Sequence, residues 1–156
     1  MSTLNARIDL PPTPRSVVAA RRVVREALGA WGAPQDRGDA ELLATELVAN
    51  VVDHVGGEVS FGLEVTLSDR WLRIAVADGS AVRPVVQELS GDRPRGRGMQ
   101  LVAAIADCWG VEDRDGGKVV WLELSPHAAG DLRSLAAGRC GDGSGDRDRR
   151  TKESSR

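Results

Sequence analysis

Apolar and polar residues repeat at two different periods along the chain, and the longer period predicts two N-terminal helices. Across residues 15–31, apolar side chains recur every three or four positions, which predicts an amphipathic helix that ends at Gly32. A second helix follows and runs to about residue 55. Asp36 or Asp39 can cap it, because a side-chain oxygen there can accept hydrogen bonds from the first backbone amides.

A period of two predicts the strands. Residues 58–67 alternate apolar and polar side chains throughout, which is typical of a half-buried antiparallel strand. A turn at 68–70 connects it to a second strand over residues 71–77. The remaining predicted elements are a short strand at 6–10, a helix at 98–109, a hairpin turn at 113–117 and a final strand at 118–124.

Two segments lack periodicity. Residues 78–97 are rich in Gly, Pro and Arg and predict a long loop, which in a compact domain is usually functional or disordered. Residues 126–156 form a Gly/Asp/Arg/Ser-rich tail that we expect to be disordered, leaving one folded domain over residues 1–125. The order of elements predicts a two-layer α/β sandwich, with a mixed, mostly antiparallel sheet covered on one face by helices.

Composition narrows the functional classes. The chain has 156 residues, and 21 basic against 23 acidic side chains give a net charge of −2, which argues against binding DNA mainly by charge. It shows neither a signal peptide nor an apolar run of membrane-spanning length, so we expect a soluble cytoplasmic protein. No Walker-type phosphate loop is present.

The second predicted helix carries the most informative polar residues. Glu46 and Asn50 are four positions apart and share a face with Asp53 and His54, on a helix that is otherwise largely apolar. An asparagine oxygen is a hard ligand suited to Mg²⁺, and a glutamate one turn away could accept a proton from an attacking hydroxyl group. The alternative is a polar stripe that faces solvent.

A glycine-rich segment precedes the third predicted helix. Gly96 and Gly98 would let backbone amides approach a phosphate group, and Arg93, Arg95 and Arg97 add cationic donors nearby. The alternative is a flexible surface loop.

Asp78 and Gly79 end the predicted strand that contains Ile74 and Val76. A carboxylate at a strand end can accept hydrogen bonds from an exocyclic amine such as that of adenine. The alternative is an ordinary Asp-Gly turn.

Together these segments resemble a known family. T-E-L-V-A-N-V-V-D-H, A-V-A-D-G-S, G-R-G-M-Q-L-V and the closing K-V-V-W-L-E-L are similar in order and spacing to the GHKL ATP-binding family over residues 6–124. More narrowly, the chain resembles stand-alone anti-sigma-factor serine/threonine kinases. The resemblance implies the Bergerat α/β sandwich, with ATP and Mg²⁺ between the helices and the sheet.

The resemblance also assigns roles to individual residues. Glu46 matches the general base, Asn50 the magnesium ligand and Asp78 the aspartate that binds adenine, while residues 81–95 match an ATP lid. The residues expected to bind the nucleotide are Asn50, Asp78, Gly79, Arg95, Gly96, Arg97, Gly98 and Met99.

Small kinases of this type phosphorylate a serine on an anti-sigma-factor antagonist and, in their other state, sequester a sigma factor. The resemblance therefore implies protein partners, with no direct contact to nucleic acid or membrane, and suggests a homodimer, although the residues themselves leave the oligomeric state open. The first helix carries a basic strip that is either a solvated face or a docking surface for an acidic partner. The strip consists of Arg15, Arg21, Arg22 and Arg25.

One departure from the family pattern defines the alternative function. The family has D-x-G-x-G after the adenine aspartate, and here Ser80 and Val82 occupy the two glycine positions. Side chains there would crowd the approach of the backbone to a nucleotide. The alternative is therefore a catalytically inactive module that binds a sigma factor or an antagonist without transferring phosphate.

Overall fold

The helices lie against one face of a five-stranded sheet in the part of the chain that the structure describes. It is a computed structural model, and it describes residues 2–54, 59–78, 97–114 and 117–126. The predicted lid at 81–95 and the predicted tail beyond residue 126 lie outside these residues. No described helix is both long enough and apolar enough to cross a membrane. The elements are β1 (Thr3–Leu10), α1 (Pro14–Trp31), α2 (Arg37–His54), β2 (Phe61–Ser68), β3 (Trp71–Asp78), α3 (Arg97–Ile105), β4 (Cys108–Arg114) and β5 (Gly117–Leu124).

The sheet has the strand order β1-β2-β3-β5-β4. The four pairings between these described strands are all antiparallel. The predicted two-layer α/β sandwich is therefore confirmed, and no parallel pair occurs among the described strands where a mixed sheet was expected.

The core lies between the sheet and the helices. Along β2 the side chains alternate between buried and half-buried, and the buried row begins at Phe61 and includes Leu63 and Val65. Leu28 of α1 and Leu47 of α2 belong to the same core cluster. Burying one such side chain stabilises the fold by about 1.5–3 kcal/mol, so the alternating pattern fixes which face of the sheet the helices cover.

Helices α1 and α2 end and begin where the sequence predicts. Gly32 ends α1 in the left-handed conformation at φ 58°, which glycine adopts without steric cost. Asp36 rather than Asp39 caps α2, because its Oδ1 accepts a hydrogen bond from the Asp39 backbone amide at 2.9 Å.

The connection between these helices is tied to one end of the sheet. Ser68 pairs with Trp71 across a two-residue hairpin turn whose residues, Asp69 and Arg70, have φ angles of 52° and 68°. Buried Gln35, which precedes α2, donates from Nε2 to the Arg70 carbonyl oxygen at 2.6 Å and to that of Leu124 at 3.1 Å. Helix α2 and strand β3 therefore start at the same end of the molecule.

The predicted third helix was wrong at its C-terminal end. It was expected to reach residue 109, but α3 ends at Ile105 and β4 begins at Cys108. The Ala106 amide still donates to the Val102 carbonyl oxygen at 2.9 Å, whereas the Asp107 amide donates to Glu123 of β5 at 3.0 Å. Pairing in the hairpin with β5 stops the helix, and the local apolar pattern carried no sign of where this pairing begins.

Replacing Gly110 by alanine is expected to destabilise the fold by about 1–3 kcal/mol, which is the usual cost of overpacking. A Cβ atom at this position would lie 2.8 Å from Cζ2 of the Trp121 ring, its cross-strand partner. Thermal unfolding measures the loss. The control is Gly29→Ala in α1, where the nearest atom to a new Cβ is 3.5 Å away on Arg37, and we expect no destabilisation there. An equal melting temperature for Gly110→Ala and the wild type would contradict this packing.

Candidate functional site

Glu46 and Asn50 lie at the boundary of the buried face of α2. That face packs into the core through residues that include Leu43, Leu47 and Val51. Glu46 and Asn50 are half-buried beside it, whereas the next turn of the same stripe leads to an exposed aspartate, Asp53. The solvent-facing alternative therefore fits Asp53, which is exposed, whereas Glu46 and Asn50 are only partly exposed.

Burial changes the chemistry of Glu46. Desolvation by the surrounding protein raises the pKa of its carboxyl group above the ordinary value of 4.5. A carboxylate with a higher pKa holds a transferred proton more firmly, which suits a general base that works near neutral pH.

Replacing Glu46 by glutamine is expected to stabilise the protein more at neutral pH than in acid. Because the pKa of Glu46 is raised in the folded state, that state binds more protons than the unfolded state once the pH passes 4.5. Wild-type stability therefore falls between 4.5 and the folded pKa, while glutamine does not titrate. The difference in melting temperature between Glu46→Gln and wild type should rise through this window. A difference that is independent of pH would contradict the burial of this carboxylate.

Asp78 is the last residue of β3 and is only 8% exposed. In the register of the sheet it lies directly opposite Lys118 of β5, which is 4% exposed. The preceding pairs of the same row, Val76 with Val120 and then Ile74 with Leu122, belong to the core cluster. Opposed residues of an antiparallel pair share one face of the sheet, so a pair of opposite charges ends the apolar row under the helices.

Asp78 lies at the end of the sheet toward which α2 runs. Gln35 fixes the starts of α2 and β3 together through its bond to the Arg70 carbonyl oxygen, and α2 packs against β3. From the start of α2 to Asn50 the helix rises about 20 Å, and β3 extends about 23 Å to Asp78. Asn50 and Asp78 are therefore at similar heights, one on the helix layer and one on the sheet.

Helix α3 packs against α2, and its N-terminal turn is its contribution to the candidate site. It begins at Arg97, and the backbone amides of a first helical turn have no partners within the helix, which makes them suitable for an anion. The Met99 side chain is buried in the core, so only its backbone can serve a ligand. Gln100 has a buried side-chain oxygen, Oε1, with no hydrogen-bond partner among the described residues.

The structure thus describes six of the nine predicted site residues, three of which form the start of α3. Arg97 and Gly98 are the first two residues of α3, while Gly79, Arg95 and Gly96 lie outside the described residues, as do Ser80 and Val82. The residues that the structure describes are Glu46, Asn50, Asp78, Arg97, Gly98 and Met99, of which Met99 offers no polar side-chain atom.

The sequence reasoning did not single out Lys118, which is buried, or Gln100, which is half-buried with a buried side-chain oxygen. Lys118 could have been found from the alternation of side chains along the strand. Val120, Leu122 and Leu124 lie at every second position, so position 118 is predicted to face the helices as they do. Gln100 gives no comparable signal, since it lies within an apolar stretch where either side of a short helix could be buried.

The donor set fits a magnesium nucleotide. Asn50, which is half-buried, offers a neutral oxygen ligand, and the buried Asp78 offers an anionic acceptor. The start of α3 adds positive potential for a polyanion. Among the described residues there is no cluster of three or more His, Cys, Asp or Glu side chains that would hold a metal ion alone. A magnesium ion here would therefore need phosphate oxygens or waters as additional ligands.

Comparison with known proteins identifies the family to which this chain belongs. The profile of the histidine kinase-like ATPase domain matches residues 10–124. The chain belongs to this family, and the resemblance to GHKL proteins is confirmed.

A solved structure is similar in fold. The RsbU and RsbW domains of Rv1364c from Mycobacterium tuberculosis superpose with a TM-score of 0.58 at 22% sequence identity. The match covers 78% of this chain and 32% of that one, so this chain corresponds to a minor part of the larger protein. No curated protein matches the chain in sequence.

Proposed function

We propose that this protein is an ATP-dependent serine/threonine kinase of the anti-sigma-factor type, which phosphorylates an antagonist protein and regulates transcription by exchanging partners. The observations that support the proposal are the half-buried Glu46 and Asn50 on α2 and the buried Asp78 at the end of β3. Membership in the histidine kinase-like ATPase family and a fold similar to a chain with an RsbW domain support it.

Each residue of the site has a distinct part in nucleotide binding under this proposal. Asn50 supplies an oxygen ligand to Mg²⁺, and Asp78 accepts hydrogen bonds from the amino group of adenine. The first turn of α3 with the preceding Arg95 and Gly96 serves the phosphates, and Gly79, next to Asp78 in the sequence, serves the base. When bound, Mg-ATP supplies the transferable γ-phosphoryl group and part of the charge neutralisation for its transfer.

Glu46 provides the acid–base chemistry. When the serine oxygen of the antagonist took the γ-phosphoryl group and ADP left with the bridging oxygen, the hydroxyl proton would pass to the Glu46 carboxylate. Its half-buried position excludes part of the water that would compete for the carboxylate, and the raised pKa makes it a stronger base than an exposed glutamate.

The basic strip of α1 provides a docking surface for an acidic partner. Arg15, Arg21, Arg22 and Arg25 are all exposed, and Val18 between them is 70% exposed. Arg22 pairs with Glu26 and Arg25 with Glu41, whereas the described residues include no ion-pair partner for the other two arginines. Uncompensated cations around an exposed apolar residue favour an acidic partner surface.

Reversing the charge of Arg15 and Arg21 together, as R15E/R21E, is expected to slow association with an acidic antagonist by about 10-fold at low salt. The difference from wild type should shrink at about 1 M salt, where the Debye length is about 3 Å. Stopped-flow association kinetics measure it. The control is R7E/R70E, an equal change of charge at exposed positions on β1 and in the β2–β3 turn. An equal slowing by this control would show that net charge rather than the strip is responsible.

Phosphate transfer itself is tested by intact-mass analysis. Anti-sigma-factor antagonists from the same organism are incubated with the protein and Mg-ATP, with Glu46→Ala as the matched control. A gain of one phosphate that requires Glu46 supports the kinase. Binding of an antagonist without any mass gain favours the inactive module, the alternative motivated by Ser80 and Val82 at the usual glycine positions.

A further inference from the structure

Lys118 is a buried cation that the proposed chemistry does not yet use. It is 4% exposed, and it lies on the same face of β5 as Val120 and Leu122, the face that the helices cover. Burying an ammonium group away from water is costly unless acceptors surround it. Lys118 lies opposite Asp78 on one neighbouring strand and opposite Asp113 on the other.

The choice of residue type at this position is informative. The chain has two lysines, Lys118 and Lys152, while its other basic residues are arginines. A lysine ammonium is a compact charge on a flexible stem with three donors, whereas a guanidinium group is planar and larger. A lysine at the end of the apolar row can therefore reach from the sheet into the space under α2 with little bulk.

We propose that Lys118 is a specificity-determining residue of the nucleotide site. It donates a hydrogen bond to a ring nitrogen of adenine, next to the amino group that donates a hydrogen bond to Asp78. The inference rests on the proposed nucleotide site and adds a second base contact to it. The Asp78 carboxylate can only accept hydrogen bonds and the Lys118 ammonium group can only donate them. The opposed pair therefore presents a hydrogen-bond acceptor next to a donor. Adenine presents the complementary pattern, an amino donor flanked by ring-nitrogen acceptors.

The pair also discriminates between bases. Guanine has an oxygen acceptor in place of the amino group, so an oxygen would face the Asp78 carboxylate unless the base shifted to place that oxygen on Lys118. A site that leaves one buried polar group without its partner rejects the wrong ligand strongly. The two strands hold Asp78 and Lys118 in fixed register, and they therefore favour adenine.

A coupling experiment tests the contact. Dissociation constants are measured by titration calorimetry for ATP, 1-deaza-ATP, 7-deaza-ATP and GTP with wild-type protein and Lys118→Met, which keeps an unbranched stem without the ammonium. One deaza analogue should bind the wild type about 10–100-fold more weakly than ATP, as expected for a lost hydrogen bond to a charged donor. Lys118→Met should lose a similar factor for ATP and nothing further for that analogue.

Controls separate this inference from the nucleotide site itself. Lys152→Met should bind ATP like the wild type. If Lys118→Met folds poorly, Lys118→Gln takes its place; because glutamine keeps an N–H donor, this variant should bind ATP more weakly than the wild type but should keep part of the affinity. Three results would overturn the role of Lys118 while leaving nucleotide binding in place. The wild type could bind ATP and both deaza analogues equally well, the losses from Lys118→Met and from the analogue could be additive, or the wild type could prefer GTP. Failure of the wild type to bind any of the nucleotides would instead overturn the nucleotide site, and this inference with it.

Discussion

Replacing Glu46 by alanine is expected to reduce phosphate transfer to the antagonist by about 10²–10⁴-fold, the usual contribution of a positioned general base. The nucleotide affinity should change little, because Asn50 and Asp78 carry the proposed contacts to Mg²⁺ and adenine. The reason lies in burial: desolvation raises the pKa of the half-buried Glu46, whereas Asp53, the next carboxylate of the same stripe, is exposed. Single-turnover transfer of labelled phosphate measures the effect separately from binding.

Asp53→Ala is the matched control for this experiment. Asp53 lies on the same stripe of α2 but is exposed, so its removal takes away a negative charge near the site without removing the base. We expect transfer by Asp53→Ala to remain close to wild type. Transfer by Glu46→Ala at the wild-type rate would show that Glu46 is not the base.

Replacing Asp78 by asparagine is expected to weaken ATP binding by about 10–100-fold. Asparagine has nearly the same shape, but it replaces one acceptor oxygen with an amino donor and removes the charge, so it cannot serve both the adenine amine and the neighbouring Lys118. Asp78 is 8% exposed, and water could not easily substitute for the lost acceptor. Calorimetric titration with Mg-ATP measures the loss.

The control for Asp78 comes from the other neighbour of the same lysine. Asp113 on β4 also lies opposite Lys118, but it is exposed. Asp113→Asn makes the same chemical change beside the same cation, and we expect it to leave ATP affinity nearly unchanged. Equal losses in the two variants would mean that charge near Lys118, rather than a contact from Asp78 to the base, controls binding.

The parts of the fold that follow from local chemistry were predictable from the sequence. The alternation in β2 requires one face to be buried, and Gly32 and Asp36 give the end of α1 and the start of α2 through their backbone and capping properties. The end of α3 was not predictable in this way. Cys108 and Trp109 continue an apolar helical pattern, and only hydrogen bonding to β5 assigns them to a strand.

The candidate site shows the same division. Glu46 and Asn50 were found because helical spacing places them on one face, and Asp78 because it ends a buried strand. Lys118 acquires meaning only from the register that sets it opposite Asp78, and strand register between distant segments cannot be read from a single strand.

Thermal unfolding with and without Mg-ATP tests the central claim, that the end of the layer between α2 and the sheet is a nucleotide site. At about 100 times its dissociation constant, the ligand stabilises the native state by about 2.7 kcal/mol, which corresponds to a rise in melting temperature of roughly 5–10 °C for a domain of this size. We expect this rise in the wild type and its loss in Asn50→Ala, whose melting temperature without nucleotide should remain near that of the wild type. An equal rise in both proteins would place the nucleotide elsewhere, and no rise in the wild type at millimolar Mg-ATP would contradict the claim.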